Sequence, residues 1–434
     1  MIVLALQMHV SEAETAPADV GVAFSLCRAV GMLAKGVHSH QEREQFGAVG
    51  ACAAVVHAMQ RFPSHEGVAR CGCLAIRALA FDHAVNKQRL CAAGGCEAVV
   101  VALRKHSTTP SGPLVHEAAA WAVSNLAQES PENKVLLGSL GAVEATLDAF
   151  ELHGRYIEVA RWCCSALRHL CDGNEANRSK ISFSSAAELL CQAVNKYGPD
   201  DELVECALLT MVVVCADRVG QHRLGLVGVC KVVVQVMPRP NDAIAALACE
   251  LVSALSFKSP DNQTKLGQAG ACRAVLQTLE GVLLRSELTS GAISRKANSY
   301  TVLDSMKDLA SAVFVSQHSS DQDSARGGDP SRRLGLGDQD SARGGDPYRS
   351  DASMLSQSDG QSVRPNTVAL IEVCLTALHS LATGHEANRG KLVTLGSIDV
   401  VSCLLNMPHL PEHTREKAQM VIEAVECVTL NRTW

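Results

Sequence analysis

Residues 116–147 read HEAAAWAVSNLAQESPENKVLLGSLGAVEATL. Asn133 is followed four residues later by Leu137, four later again by Gly141, and then by the short apolar run AVEATL. The same element recurs at Asn86–Leu90–Gly94, Asn262–Leu266–Gly270 and Asn388–Leu392–Gly396. Weaker copies stand at Glu42–Phe46–Gly50, Asn177–Ile181–Ser185 and Gly220–Leu224–Gly228. Successive third positions lie 44, 47, 44, 43 and 42 residues apart, then 126. Chance does not place seven copies in one register, and a period of this size marks a repeat architecture.

The physics of one unit follows from its residues. A short helix beginning near the Asn ends at the Gly, where a backbone without Cβ turns sharply. A second amphipathic helix follows, then a polar loop and a longer third helix such as EAAAWAVSNLA (117–127). VECALLTMVVVCA (204–216) has almost no polar face, so the third helix is sheathed on most sides. One unit cannot bury its own apolar surface, and units therefore stack. The expected fold is all-α, a solenoid of about seven three-helix repeats.

Composition agrees. Of 434 residues, 47% are apolar, yet only fifteen are aromatic, so Ala, Val, Leu and Cys build the core. A net charge of −6 gives no footprint for sequence-blind nucleic-acid binding. No apolar run reaches the ~18–20 residues of a membrane span. Cys52, Cys96, Cys230 and Cys272 recur at one repeat position, as small buried hydrophobes do. Free thiols imply a reducing compartment, cytoplasmic or nuclear.

The segments 116–147 and NRGKLVTLGSIDVV (388–401) strongly resemble the armadillo repeats of importin-alpha, beta-catenin and the vacuolar armadillo adaptors. The resemblance covers about residues 1–285 and 365–434. It implies a right-handed superhelix whose third helices line a concave groove for extended peptides.

No Asn–Leu–Gly element occurs between Gly281 and Arg364, and the helix at 367–388 aligns as the third helix of the unit opened at Asn262. Residues 286–364 therefore read as an insertion between second and third helices. It carries DQDSARGGDP twice, at 321–330 and 338–347, and its low apolar content predicts disorder. MIVLALQMH (1–9) aligns with a second helix, so the chain opens inside a repeat. Residues 365–434 read as the C-terminal repeat and cap.

Catalytic and metal motifs fail on spacing. Gly384–Lys391 has five intervening residues and Leu392 where a phosphate loop needs Ser or Thr. His116-Glu117 and His385-Glu386 lack the second His of a zinc helix. No enzyme activity, metal or cofactor is expected, and no direct membrane insertion.

Candidate binding residues come from aligning the third helices on Leu126. Spacing i, i+3, i+4 marks one helix face. The Trp121 column runs Arg28, Leu74, Trp121, Ser165, Leu208, Glu250 and Thr376. The Ser124 column includes Arg77, Arg168, Ser253 and His379, and the Asn125 column runs Met32, Ala78, Asn125, His169, Val212, Ala254 and Ser380. The groove candidates are Arg77, Trp121, Ser124, Asn125, Arg168, His169 and Glu250. Arg28, Arg77 and Arg168 would give these columns a cationic lining, with Glu250 the one acidic member. The resemblance to importin-alpha implies that Trp121 and Asn125 form the pair that flanks a basic side chain and holds a peptide backbone, although that pair occurs only once here. The expected function is a non-enzymatic scaffold or adaptor binding protein partners through an extended, acidic segment. The alternatives are a structural region of a larger kinase- or ubiquitin-ligase-associated protein, or a degenerate transport-receptor-like peptide binder.

Overall fold

The computed structural model describes residues 19–36, 40–285, 365–407 and 410–426, and every regular element among them is a helix. The chain enters on α1 (Val20–Lys35) and continues through seven units of three helices. The first helices are α2 (His40–Ala48), α5 (Ala84–Ala92), α8 (Pro131–Ser139), α11 (Glu175–Ser182), α14 (Arg218–Leu226), α17 (Pro260–Ala269) and α20 (Glu386–Thr394). The second are α3 (Ala51–Arg61), α6 (Gly95–Lys105), α9 (Ala142–His153), α12 (Ala186–Lys196), α15 (Val229–Val236), α18 (Ala271–Arg285) and α21 (Ser397–Leu405). The third are α4 (Glu66–Ala80), α7 (Gly112–Ala127), α10 (Ile157–Cys171), α13 (Asp201–Cys215), α16 (Asp242–Ser256), α19 (Pro365–Ala382) and α22 (Glu412–Glu426). Helix α1 stands in the third row. The segment 286–364 between α18 and α19 and the opening MIVLALQMH both lie outside the described residues.

Each first helix opens two residues before its Asn, at Ala84, Pro131, Glu175, Pro260 and Glu386, slightly earlier than the spacing suggests. It ends on a left-handed turn, with φ between +71° and +93° at Gly50, Gly94, Gly141, Gly228, Gly270 and Gly396. The seventh copy, Ser185, makes its turn at φ −77° and needs no glycine.

The repeated Asn is a stitch between units. Asn177 Nδ2 donates to Leu170 O (2.8 Å) in the preceding third helix and to Lys134 O (3.1 Å) in the preceding first helix. Asn86, Asn262 and Asn388 repeat this pair of bonds on Leu79 and Arg43, Leu255 and Gln221, and Leu381 and Gln263. Buried amides and carbonyls are thereby satisfied together, which the low-dielectric interior demands. The residue after the Asn, or after Gly220 where that glycine takes its place, reaches forward instead. Lys134 Nζ donates to Asp172 O, Gln221 Nε2 to Ala254, Leu255 and Phe257 O, and Gln263 Nε2 to Ser380 and Thr383 O. These side chains cap the orphan carbonyls at the ends of the next third helices.

Room for the stitch is made by a second glycine in the neighbouring first helix. A Cβ on Gly47, Gly138, Gly225 or Gly267 would sit 1.8–2.0 Å from the side-chain oxygen of Asn86, Asn177, Asn262 or Asn388. One interface is inverted. There the glycine is Gly220, at the Asn position, and a Cβ on it would lie 2.5 Å from Val214 O and 2.8 Å from Ser182 Oγ.

Like rows stack on like rows, and the third helices make the most extensive contacts from unit to unit, forming the row that the armadillo resemblance places on the concave side. Their small residues allow this approach. Ala118, Ala119, Ala120 and Ala122 of α7 are fully buried. Cys52, Cys96, Cys230 and Cys272 are also core residues, and the seventeen described cysteines are free thiols. Burial raises the thiols of Cys52 to about 12 and of Cys230 and Cys272 to about 11, so these sulfurs are chemically quiet. No helix among the described residues is long and apolar enough to cross a membrane.

Candidate groove on the third-helix face

At the middle of the inner row Trp121 of α7 stacks on Trp162 of α10, with ring centroids 3.7 Å apart and planes inclined by 11°. The guanidinium of Arg77 on α4 lies 3.6 Å from the Trp121 centroid. Two groups cannot share one face at those distances, so Trp121 is sandwiched between the Arg77 cation and the Trp162 ring. Both indoles are half-buried, and three successive third helices are joined by one stack.

The sequence-derived columns are only partly open. Trp121, Arg168 and His169 are half-buried, and Glu250 is exposed. Arg77 (7%), Ser124 (1%) and Asn125 (5%) are buried, so the expectation that all three columns face solvent does not hold. Asn125 spends its amide inside the protein, donating to Arg77 O at 3.1 Å, and does not present it to a peptide backbone. Ser124 Oγ sits 2.9 Å from Ser165 Oγ and 2.9 Å from His169 Nδ1. This hydroxyl–imidazole pair clasps α7 to α10. Burial, then the positive charges of Arg168 and Lys134, pull the His169 pKa down to about 4.

The alignment also slips by one residue in α13. The N-cap Asp200 precedes Val214 by the same interval as His65 precedes Leu79, Tyr156 precedes Leu170 and Asn241 precedes Leu255. Val214 therefore stands where Leu126 stands in α7. The inner face of α13 shows the half-buried Leu209, Val212 and Val213, while Leu208 and Met211 are in the core.

The cationic lining is narrower than the columns suggest. Arg28 is exposed, but Arg77 is committed to Trp121. Glu117 lies among Arg70, Arg77 and Arg161, with its carboxyl raised by burial first and by Glu158 second, while those arginines pull it back. Glu205 is likewise raised by burial, with Arg168 opposing. Arg161 contacts three carboxylates, Glu158 at 3.0 Å, Asp200 at 3.0 Å and Glu202 at 3.1 Å. Glu117, Arg161 and Trp162 were all detectable from the sequence. Glu117 is four residues before Trp121, and Arg161 and Trp162 are four and three before Ser165, which places them on the same helix face.

No protein-family model matches this chain, and neither does any curated protein. Among solved structures, two engineered proteins superpose with TM-scores of 0.50. One is 12% identical over 77% of this chain and 97% of its own, and the other 16% identical over 58% and 98%. A designed armadillo repeat protein aligns at 18% identity over 58% of this chain and 99% of its own length, with a TM-score of 0.49. The likeness is one of fold. With seven stacked units of three helices, the chain is an armadillo-type α-solenoid.

Proposed function

We propose that this chain is a protein-interaction scaffold that holds an extended partner segment along the inner, third-helix face. The observation that carries the reading is the Trp121–Trp162 pair, half-buried at the middle of the inner row. Packing between two helices of small residues does not call for two stacked indoles, whereas large rigid aromatic anchors dominate binding surfaces. Arg77 and Asn125 fix the anchor from below and leave the rim of Trp121 and part of Trp162 to a ligand. The half-buried Leu74 and Leu209 extend an apolar track to either side. Binding of this kind needs no catalytic group.

The test is a fluorescence-anisotropy screen of labelled extended peptides against the full chain and a Trp162→Ala variant. The expected result is peptide binding that weakens at least ~10-fold on substitution while helix content stays unchanged. Peptides that bind both proteins equally would place the binding surface elsewhere.

A further inference from the structure

The inner row is electrically polarised along the solenoid. Helices α1, α4, α7 and α10 carry six Lys and Arg against three Asp and Glu, a net of +3. Helices α13, α16, α19 and α22 carry two Lys and Arg against ten Asp and Glu, a net of −8. The row's charged side chains follow the same division. Arg28 and Arg70 are exposed and Arg168 half-buried in α1–α10, while Glu250, Glu416 and Glu423 are exposed in α13–α22. The boundary falls between α10 and α13, where Arg161 meets Glu158, Asp200 and Glu202. Such a field is not that of a uniformly basic or acidic groove. A ligand of one charge would be attracted at one end and repelled at the other.

We infer that the inner face takes an extended polypeptide of segregated charge, its acidic stretch along α1–α10 and its basic stretch along α13–α22, with an apolar or aromatic residue at the Trp121–Trp162 stack between them. The inference rests on the groove reading above and adds the ligand's chemistry to it. Eight helices at about 8–10 Å spacing cover roughly 60 Å, which an extended chain spans in about 20 residues. Both halves therefore fit on one continuous segment.

Four labelled peptides of that length separate the outcomes: acidic-then-basic, the same residues with charges alternating, all acidic, and all basic. With the full chain at low ionic strength, the segregated peptide is expected to bind at least ~10-fold more tightly than the alternating one, with the gap closing as salt rises. A Glu250→Lys/Glu416→Lys variant should shift the preference to the all-acidic peptide. The milder Glu250→Gln/Glu416→Gln variant, checked for an unchanged melt, should lie between the two. Equal binding of segregated and alternating peptides, or an all-acidic peptide binding the unaltered chain best, would overturn the inference while leaving groove binding intact. Binding that leaves Trp121 and Trp162 fluorescence unperturbed would overturn both readings together.

Discussion

Gly138 of α8 and Asn177 of α11 occupy one volume between them: a Cβ on the glycine would lie 2.0 Å from the asparagine's side-chain oxygen. Asn177 uses that space to bond Leu170 O and Lys134 O, so the two residues are a single device for setting one repeat on the next. Asn177→Ala should cost about 2–3 kcal/mol, because it leaves two buried carbonyls without their donor. Gly138→Ser should cost a similar amount by expelling the Asn side chain. The double change Gly138→Ser/Asn177→Gly copies the Ser182–Gly220 interface, and should lose at least ~1 kcal/mol less than the sum of the singles. Urea unfolding of the four proteins measures this, and additive losses would refute the pairing.

Backbone strain gives a second test. The turn between third and first helices is left-handed at Gly173 and Gly384, and also at Asp82, Glu129 and Lys258, with φ of 46°, 51° and 48°. Nothing lies within 4 Å of a Cβ placed on Gly173 or Gly384, so substitution there probes backbone conformation alone. Gly173→Ala should cost about 1 kcal/mol, and Lys258→Gly should gain roughly 0.5 kcal/mol after the added entropy of the unfolded chain is counted. Thermal melts of the two variants should move in opposite directions.

Acid should loosen the first three repeats. Burial, then the neighbouring His153 and His106, lowers His116 from 6.5 to about 4, and its Nε2 donates to Leu103 O at 2.9 Å as a neutral ring. His169 is also brought down to about 4. A histidine whose folded pKa is depressed is neutral in the fold but takes up a proton when unfolded below 6.5. Its contribution is therefore complete above pH 6.5 and drains away as pH falls toward 4. For His116 this is on the order of 3 kcal/mol, and for the half-buried His169 less. Glu117 and Glu205, whose carboxyls are raised, act in the opposite sense. Unfolding free energy measured at pH 7 and pH 4.5 should fall, and His116→Gln should narrow the difference. A His116→Gln protein with the same pH slope as the parent would contradict this account.

Much of the fold was legible because a repeat writes the same physics many times. The Asn–Leu–Gly element located every first helix and its turn, and even the degenerate copy at Asn177–Ile181–Ser185 proved to be a complete unit. The site was harder to read. A helix face can be counted from spacing, but what covers that face depends on the neighbouring helix. Thus Ser124 and Asn125 lie on the inner side of α7 yet are closed over by α10 and α4. The linker before α14 is one residue shorter than its counterparts, which moved α13 out of the alignment and turned Leu208 from a surface residue into a core one. Trp162 can be placed on the inner face by spacing, but its stack on Trp121 joins two different register positions and is created by the superposition of repeats, not by any single repeat.

The most direct measurement is indole nitrogen NMR of the full chain during titration with the segregated-charge peptide. The account predicts that the Trp121 and Trp162 indole signals shift together, saturate with the binding isotherm, and lose that response in Arg77→Ala, where the stack has lost its lower face. Saturable peptide binding that leaves both signals where they stood would contradict it.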